Sequence, residues 1–441
     1  MTGRCRSGYT LDDHPCVAIR PRQILPSTTV STAPRVLMLA PEPFFEPRGT
    51  PFSEYHRIKA LGELGVQIDL VTYPIGQDVD LPNLRIYRCV KPPFVRRVAI
   101  GPSLVKVLLD LSLATTAIRL ARPGRYAAIH SHEEAGALGV WLARRLRIPH
   151  LYDMHSSLPQ QLTSFGYSRS RLIRQIFERS ERAMIAGSQV VITICQELQD
   201  TVVAIGAGER AILIENVMGG DVDDADVSVP VREHWGIMAS TPVVLYTGTF
   251  EAYQGLELLY GAAAQLKRTH PAARILIVGG DAEQVAAARV TAERDALPLV
   301  FAGRRPAHEI PSFVTASDIL VSPRIAGTNT PLKIYSYLRS GRPIIATNLR
   351  THTQVLEPGT AVLVAPDPSA LAEAVGRLID EPAERKRLAT AAAALAARKY
   401  SRASYLERTR EAYARLLGAG TLPDRASAAT GSATAGSVTS P

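Results

Sequence analysis

Two doubly wound α/β domains facing one another across a cleft are the fold predicted by the 441-residue sequence, and three observations point to it. Short apolar runs alternate with longer helical patterns from Arg35 onward, the rhythm of parallel sheets covered by helices on both faces. A polar, aspartate-rich stretch from Gly219 to Val227 interrupts that rhythm, which then restarts. The length exceeds what one ordinary core accommodates and suggests about two or three units.

Taken in order, the candidate strands of the first half are Val36 to Ala40, Gln67 to Tyr73, Leu84 to Cys89, Ala127 to Ser131, His150 to Met154, Val190 to Ile194 and Ala211 to Glu215. Several are almost continuously apolar, as strands buried on both faces should be. The second series runs Val243 to Thr247, Ile275 to Gly279, Val300 to Ala302, Ile319 to Ser322, Pro343 to Ala346 and Ala361 to Val364. Helices are expected at Leu256 to Thr269, Ala282 to Ala296, Leu332 to Ser340, Pro368 to Asp380 and Arg402 to Leu417. This divides the chain into an unfolded extension over 1–34, a first domain over 35–218, a linker over 219–241 and a second domain over 242–399. A last helix over 400–417 and an Ala/Ser/Thr/Gly tail over 418–441, too poor in apolar residues to fold, complete it.

Composition narrows the class. Hydrophobic residues make up 46% and charged residues 21%, enough apolar material for real cores. Cys5, Cys16, Cys89 and Cys195 are far apart with no C-x-x-C pair, so neither a disulfide framework nor a zinc ribbon is expected. The most apolar stretch, Leu104 to Leu120, contains Lys106, Asp110 and Arg119 and falls short of the roughly 20 residues of a membrane helix. The first 34 residues lack an apolar segment of the secretory kind, so a cytoplasmic location is expected. The net charge of +9 suits an anionic partner without choosing one.

In paired doubly wound domains ligands bind beyond the carboxyl ends of the strands. The loops leaving Val36 to Ala40, Ala127 to Ser131, Val243 to Thr247 and Ile319 to Ser322 therefore carry the information. The sharpest is Pro323-Arg-Ile-Ala-Gly-Thr-Asn-Thr-Pro-Leu-Lys333, in which Thr330 is a candidate N-cap and Pro331 fits the first helical turn. Such a turn aims free amides, here those of Thr328, Asn329 and Thr330, and the positive end of a helix dipole into the cleft, a site for diphosphate. Gly327 allows close approach, and Arg324 and Lys333 supply the positive charge that stabilises a leaving group. An ordinary capped helix explains the same residues. In the first half Pro47-Arg-Gly-Thr-Pro51 opens a similar helix, so Gly49 and Thr50 become binding candidates, with a plain helix start as the alternative.

Gly248-Thr-Phe-Glu-Ala-Tyr-Gln-Gly255 joins a strand to a helix, and its two glycines permit backbone to lie close to a ligand. It is not a dinucleotide fingerprint. No G-x-G-x-x-G or phosphate-loop motif stands at the needed positions, which disfavours a dehydrogenase or a P-loop enzyme. His130-Ser-His-Glu-Glu134 closes a strand, where His132 is the best placed to meet a sugar hydroxyl or a proton in transfer, and His155 is a weaker partner. The His130/His132 spacing puts both on one face, but no third metal ligand is evident and no metal is expected.

These stretches resemble the family 4 glycosyltransferases of the GT-B fold, over nearly everything from Arg35 to Leu417. Lys333-Ile-Tyr-Ser-Tyr-Leu-Arg-Ser-Gly-Arg-Pro-Ile-Ile-Ala-Thr347 is similar to the family's E-A-M-A-x-G-x-P-V-I-A segment. Tyr246 to Gly255 resembles the first strand and loop of its donor domain, and His130 to Glu134 its H-x-H segment. Two departures stand out. The family's paired E-x7-E glutamates are Thr328 and Ser336 in this chain, and its two diphosphate-binding cations align with Thr249 and Gln254. The pattern is that of a subgroup in which Arg324 and Lys333 replace the missing charge.

The resemblance implies a metal-independent retaining enzyme that moves a sugar from a nucleotide diphosphate to a glycan, lipid-linked or small-molecule acceptor, as in cell-envelope polysaccharide synthesis. It implies no cofactor and no nucleic-acid partner. His132, Lys333 and Arg324 are then the catalytic residues. Gly49, Thr50, Gly248, Thr249, Glu251, Gln254, Gly327, Thr328, Asn329, Thr330 and Ser336 bind the donor. Ser168 to Arg182, with five arginines among Leu172, Ile173, Ile176 and Phe177, mixes charge and apolarity in a way that suits an anionic membrane surface, although a solvated helix packed on the core also accounts for it. The alternatives are a non-catalytic binding protein and a nucleotide-sugar 2-epimerase, for which no carboxylate constellation is apparent.

Overall fold

Seven parallel strands in the order β3-β2-β1-β4-β5-β6-β7 form the first sheet, and six in the order β10-β9-β8-β11-β12-β13 the second. The computed structural model describes residues 33–45, 49–93, 95, 98, 103–159, 171–216 and 228–422. Residues 1–32 of the expected extension, 219–227 of the expected linker and the tail after 422 lie outside the described residues, as do Cys5, Cys16, Pro47, Arg48 and Arg169.

The first sheet comprises β1 (Arg35–Ala40), β2 (Gln67–Thr72), β3 (Leu84–Arg88), β4 (Ala128–His132), β5 (His150–Met154), β6 (Val190–Thr193) and β7 (Ala211–Leu213). The second comprises β8 (Val243–Thr247), β9 (Arg274–Val278), β10 (Leu299–Gly303), β11 (Ile319–Ser322), β12 (Ile344–Thr347) and β13 (Val362–Val364). Central strands are buried along their length; β8 and β11 read as nearly continuous apolar runs for that reason, whereas β4 and β5 bury His130, Ser131, His132, His150 and Asp153. Strand order reverses between β1 and β4 and between β8 and β11, so the four loops singled out from the sequence leave the two topological switch points.

The helices are α1 (Gly49–Glu63), α2 (Leu104–Leu120), α3 (Gly136–Leu146), α4 (Arg171–Ala186), α5 (Gln196–Ala204), α6 (Val231–His234), α7 (Leu256–Thr269), α8 (Ala282–Arg294), α9 (Ile310–Thr315), α10 (Lys333–Arg339), α11 (Arg350–Thr353), α12 (Pro368–Asp380), α13 (Pro382–Lys399) and α14 (Arg402–Leu417). None of the described helices is long and apolar enough to cross a membrane. On the first sheet, α2 and α3 share a core with Leu37, Leu39 and Ile129, whereas α1 and α14 pack with Val36 and Met38 on the opposite face. Although α14 follows the second sheet in sequence, its Tyr405, Ala412, Tyr413 and Leu416 belong to the first sheet's core.

One local expectation fails. Thr330 does not cap α10: the helix begins at Lys333, the residue before it, Leu332, is already in the right-handed helical region, and no side chain caps the turn. Pro331 accordingly precedes the helix. The loop is drawn instead into contacts with the first half of the molecule.

Candidate active site

The loop after β11 is held open by its neighbours. Arg324 donates to the carbonyl of Asn329 at 2.7 Å and to Thr351 Oγ1 at 3.2 Å, and its guanidinium lies 4.8 Å from the Tyr253 ring centre. Gln354 donates to the carbonyl of Thr328 at 2.9 Å. With the loop's carbonyls turned into these contacts, the amides of Gly327, Thr328, Asn329 and Thr330 meet no acceptor among the described residues. Gly327 adopts φ +112°, and a Cβ there would lie 3.1 Å from Arg324, so glycine lets the turn close over the guanidinium.

Lys333 sits beneath. Its Nζ donates to the carbonyl of Thr247 at 2.8 Å and lies 4.0 Å from the centre of the Tyr246 ring. Burial first, then neighbouring Arg324, holds its ammonium well below the usual lysine range. Burial also lowers Arg324. Among the described residues no carboxylate pairs with Arg324 or Lys333, and desolvation disfavours the charged form of each. The pair has the chemistry to receive an anion. His352 joins the same cluster, bonded to Ser322 Oγ at 2.9 Å and held neutral by burial, with a pKa of about 3.

Other expected donor residues are placed unevenly. Gly248 lies against this cluster, its absent Cβ 3.3 Å from Lys333 Nζ. Gly255 is left-handed at φ +74°, and a Cβ would strike the Pro323 carbonyl at 1.9 Å, so it serves packing between the two loops rather than open approach to a ligand. Thr249 and Gln254 make a long mutual contact of 3.5 Å, and a buried Gln254 oxygen has no partner. Glu251 is exposed. Ser336 is turned away: its hydroxyl donates to the Lys333 carbonyl within α10 at 2.9 Å. Gly49 and Thr50 are the first residues of α1, at its exposed start.

The first sheet contributes a buried polar cluster at the ends of β4 and β5. His132 Nδ1 lies 3.2 Å from His155 Nε2, which in turn lies 3.3 Å from Asp153 Oδ1. Arg57 Nε donates to Asp153 Oδ2 at 3.2 Å, and His130 Nδ1 is 2.8 Å from the Tyr413 hydroxyl of α14. Although burial opposes it, Arg57 and His155 hold Asp153 well below the usual carboxylate range. Burial likewise opposes charge on His155, yet Asp153 raises it. His132 is held well below the imidazole range by burial and then by His130. Of the two rings, His155 is the one whose charged form its neighbours favour and His132 the one that burial keeps neutral, and His132 Nε2 is a buried atom with no partner among the described residues.

Two acids complete this floor. Glu54, fully buried on α1, places Oε1 3.6 Å from His132 Nδ1 and is driven well above the carboxylate range by burial and by Glu42. Glu133 is raised to about 7 by burial. Sequence reasoning missed Glu54, Arg57, Asp153 and Glu133, as well as His352. Only Asp153 carried a signal, because it pairs in register with His132 across β4 and β5. It also supplies the third metal-ligating group thought absent: one ligand atom each from His130, His132 and Asp153 lies within 4.8 Å of the others. That trio has the donor chemistry for a cation, but the Arg57 guanidinium already occupies one Asp153 oxygen and would oppose a metal there.

The two halves meet at the donor loop. Asn329 Nδ2 donates to the His155 carbonyl at 2.6 Å, and Cys195 Sγ donates to Asn329 Oδ1 at 3.6 Å. Gln354 accepts from the Glu197 amide at 3.1 Å, and Arg350 pairs with Glu197 and Asp200 at 3.3 and 2.7 Å. The cationic loop and the histidine floor thus share one boundary.

Comparison with known proteins identifies the family of both halves. The family described as "Glycosyl transferase 4-like domain" matches residues 55–216, and "Glycosyl transferases group 1" matches residues 241–381. The chain is 28% identical to alpha-D-kanosaminyltransferase of Streptomyces kanamyceticus over 62% of its own length and 74% of that protein. It is 24% identical to phosphatidyl-myo-inositol mannosyltransferase of Mycobacterium leprae, over 83% of its own length and 92% of that protein. Among solved structures, sucrose-phosphate synthase of Thermosynechococcus elongatus superposes with a TM-score of 0.68 at 19% identity, covering 88% of this chain and 100% of that one. HepE of Anabaena in complex with UDP gives 0.67 at 19% identity, covering 87% and 100%. The two family matches fall on the two halves whose loops build the site, and the chain belongs to the family 4 glycosyltransferases of the GT-B fold.

Proposed function

We propose that this glycosyltransferase is a retaining enzyme whose donor diphosphate lodges between the amides of Gly327 to Thr330 and the cations Arg324 and Lys333. One observation carries the reading: among the described residues, the half-buried Arg324 and Lys333 have no carboxylate partner and stand beside four unengaged amides at the switch point of the second sheet. As the bond to the sugar breaks, negative charge grows on the departing phosphate, and fixed donors in a dry site stabilise it most at that moment. His132 Nε2 donates to a hydroxyl of the donor sugar. The acceptor enters on the face from which the diphosphate leaves, and that phosphate takes its proton.

The nucleoside fits a cavity of about 430 Å³ at the ends of β9 and β10, lined by Gly280, Asp281, Val285, Arg289, Gly303 and Arg304. The chemistry proposed requires no metal, because Arg324 and Lys333 supply the positive charge. The acceptor is a saccharide, free or lipid-linked, reached at the membrane surface. Kanosaminyl transfer in one relative and a phosphatidylinositol acceptor in another make aminated sugars and inositol derivatives suitable first probes.

The test is incubation with UDP-, GDP- and dTDP-sugars, aminated sugars included among the donors, with EDTA, and with and without inositol-derived and saccharide acceptors. Release of nucleotide diphosphate unaffected by chelator, and product whose anomeric proton coupling matches that of the donor, support the proposal. Inverted product overturns retention, and loss of turnover with EDTA that returns with metal overturns the metal-free assignment.

A further inference from the structure

Eight of the thirteen large apolar side chains exposed among the described residues lie on α2, α3 and α4. These helices cover one face of the first sheet. Leu109 and Leu113 of α2 and Leu142 of α3 pack in a single core over Leu37 and Ile129. Met184 of α4 packs with Tyr152, and the register pairs Ser131 with Tyr152, which places Tyr152 on the same side as Ile129.

Helix α2 is apolar on both sides. Its inner stripe, Leu109, Leu113 and Ala117, is buried, while Leu108, Leu111 and Ile118 are 44%, 61% and 45% exposed. A helix apolar on both sides expects cover on both, and the described residues cover one of them. The first turns of α4 behave alike: Arg171 to Ile176 are all exposed, with Leu172 at 66% and Ile176 at 54%, and burial begins only at Glu181. Trp141 of α3, 47% exposed, lies between, with Arg145 5.8 Å from its ring centre.

Charge identifies the cover. Arg171, Arg174, Arg179 and Arg182 of α4, Arg144 and Arg145 of α3, and Arg119 of α2 are exposed around these apolar residues. The acids of the three helices are largely spoken for: Asp110 accepts from the Tyr73 hydroxyl at 2.5 Å, Glu181 accepts from the Leu158 amide at 2.8 Å, and Glu178 faces Arg174 at 3.5 Å. A protein partner would need a large acidic and apolar surface. A bilayer with anionic headgroups offers both properties in the plane that three adjacent helices present.

We propose that α2, α3 and α4 form a single docking face for anionic membrane, with Leu108, Leu111, Trp141, Leu172 and Ile176 entering the headgroup boundary and the arginines contacting lipid phosphates. This deepens the membrane-surface acceptor proposed above, but binding does not require turnover. Since α3 begins directly after Glu133 to Ala135 at the end of β4, docking holds the histidine floor near the lipid surface.

The test is co-sedimentation of the full chain with phosphatidylcholine vesicles, and with vesicles in which about a third of the lipid is phosphatidylglycerol. Binding is expected only to the second kind, weakened at high salt. Reversing Arg171, Arg174 and Arg179 to glutamate should lower the partition coefficient by about a hundredfold. Leu108→Asn with Leu111→Asn should weaken binding at unchanged charge, and both variants should keep the wild-type circular dichroism spectrum. Equal binding to neutral vesicles, wild-type binding by both variants, or no vesicle binding overturns the proposal. A dimer in light scattering that the Leu108/Leu111 variant dissolves, without vesicle binding, assigns the face to a second copy instead. UDP-induced stabilisation of the lipid-free protein is read in parallel: intact stabilisation with failed docking sinks only the docking face, and docking without nucleotide binding sinks only the donor assignment.

Discussion

Asn329, in the loop after β11, donates its side-chain amide to the main-chain carbonyl of His155 at the end of β5, 2.6 Å away. One residue of the loop that offers free amides is thereby tied to the strand end that orients His132. Arg324, which donates to the Asn329 carbonyl, and the histidine floor are thus linked through one residue, and removal of its side chain should be felt in turnover more than in folding.

Asn329→Ala should lower kcat/KM for the donor sugar by roughly tenfold, the worth of about one well-made hydrogen bond. Thermal stability should change little, because the loop remains held by Arg324, Thr351 and Gln354. Steady-state nucleotide release together with calorimetry checks both halves of the expectation.

Lys333→Ala and Arg324→Ala should each cost about 10²–10³ in kcat, as expected for losing a donor aimed at transition-state charge. Lys333→Arg should not restore activity, since Nζ is confined between the Thr247 carbonyl and the Tyr246 ring. Binding of nucleotide diphosphate should also take up protons. Burial depresses the lysine in the free enzyme, and a bound anion returns it toward the ordinary value of 10.5, so between the two values binding consumes protons. Titration calorimetry in buffers of different ionisation enthalpy reads that uptake directly; identical heats after buffer correction would count against it.

Arg57→Met should destabilise the protein by about 3–5 kcal/mol, because it leaves the buried Asp153 carboxylate with His155 alone to offset its charge. Adding Asp153→Asn should recover part of that loss, since no uncompensated carboxylate then remains. Denaturant unfolding of the two variants gives the comparison. His155→Gln should alter the pH profile of kcat while leaving the fold intact, because His132 loses the partner that fixes its tautomer.

Glu215 provides a stability signature away from the proposed chemistry. Burial, partly offset by Arg408, raises its carboxyl from 4.5 to about 7 in the folded protein. The folded state therefore binds more protons than the unfolded state between those values. Its contribution is fully present below pH 4.5 and is lost as pH rises through about 7. Glu215→Gln should raise the melting temperature relative to wild type at pH 8 and bring no such gain at pH 4. Scanning calorimetry across that range is the check.

Much of the fold was legible because a strand buried on both faces is mostly apolar, as Val36 to Ala40 and Val243 to Tyr246 are. Helix α13 escaped notice because its buried Leu388, Ala392 and Leu395 are set among alanines that face both ways, so the sequence shows little contrast. The cap assigned to Thr330 was a sound local inference overruled by contacts made elsewhere in the chain.

By itself the sequence determined the two series of parallel strands, the loops at their switch points and the presence of His132, Arg324 and Lys333 on those loops. Pattern and chain direction suffice for that, since alternation of strands and helices dictates where carboxyl ends lie. Only the tertiary structure decided that Arg57, Asp153, His155 and α14 converge beneath His132, that Asn329 joins the two halves, and that α2, α3 and α4 leave their apolar sides on one common face. Such pairings depend on how helices and strands stack, and residues 96 positions apart, as Arg57 and Asp153 are, carry no local mark of their contact.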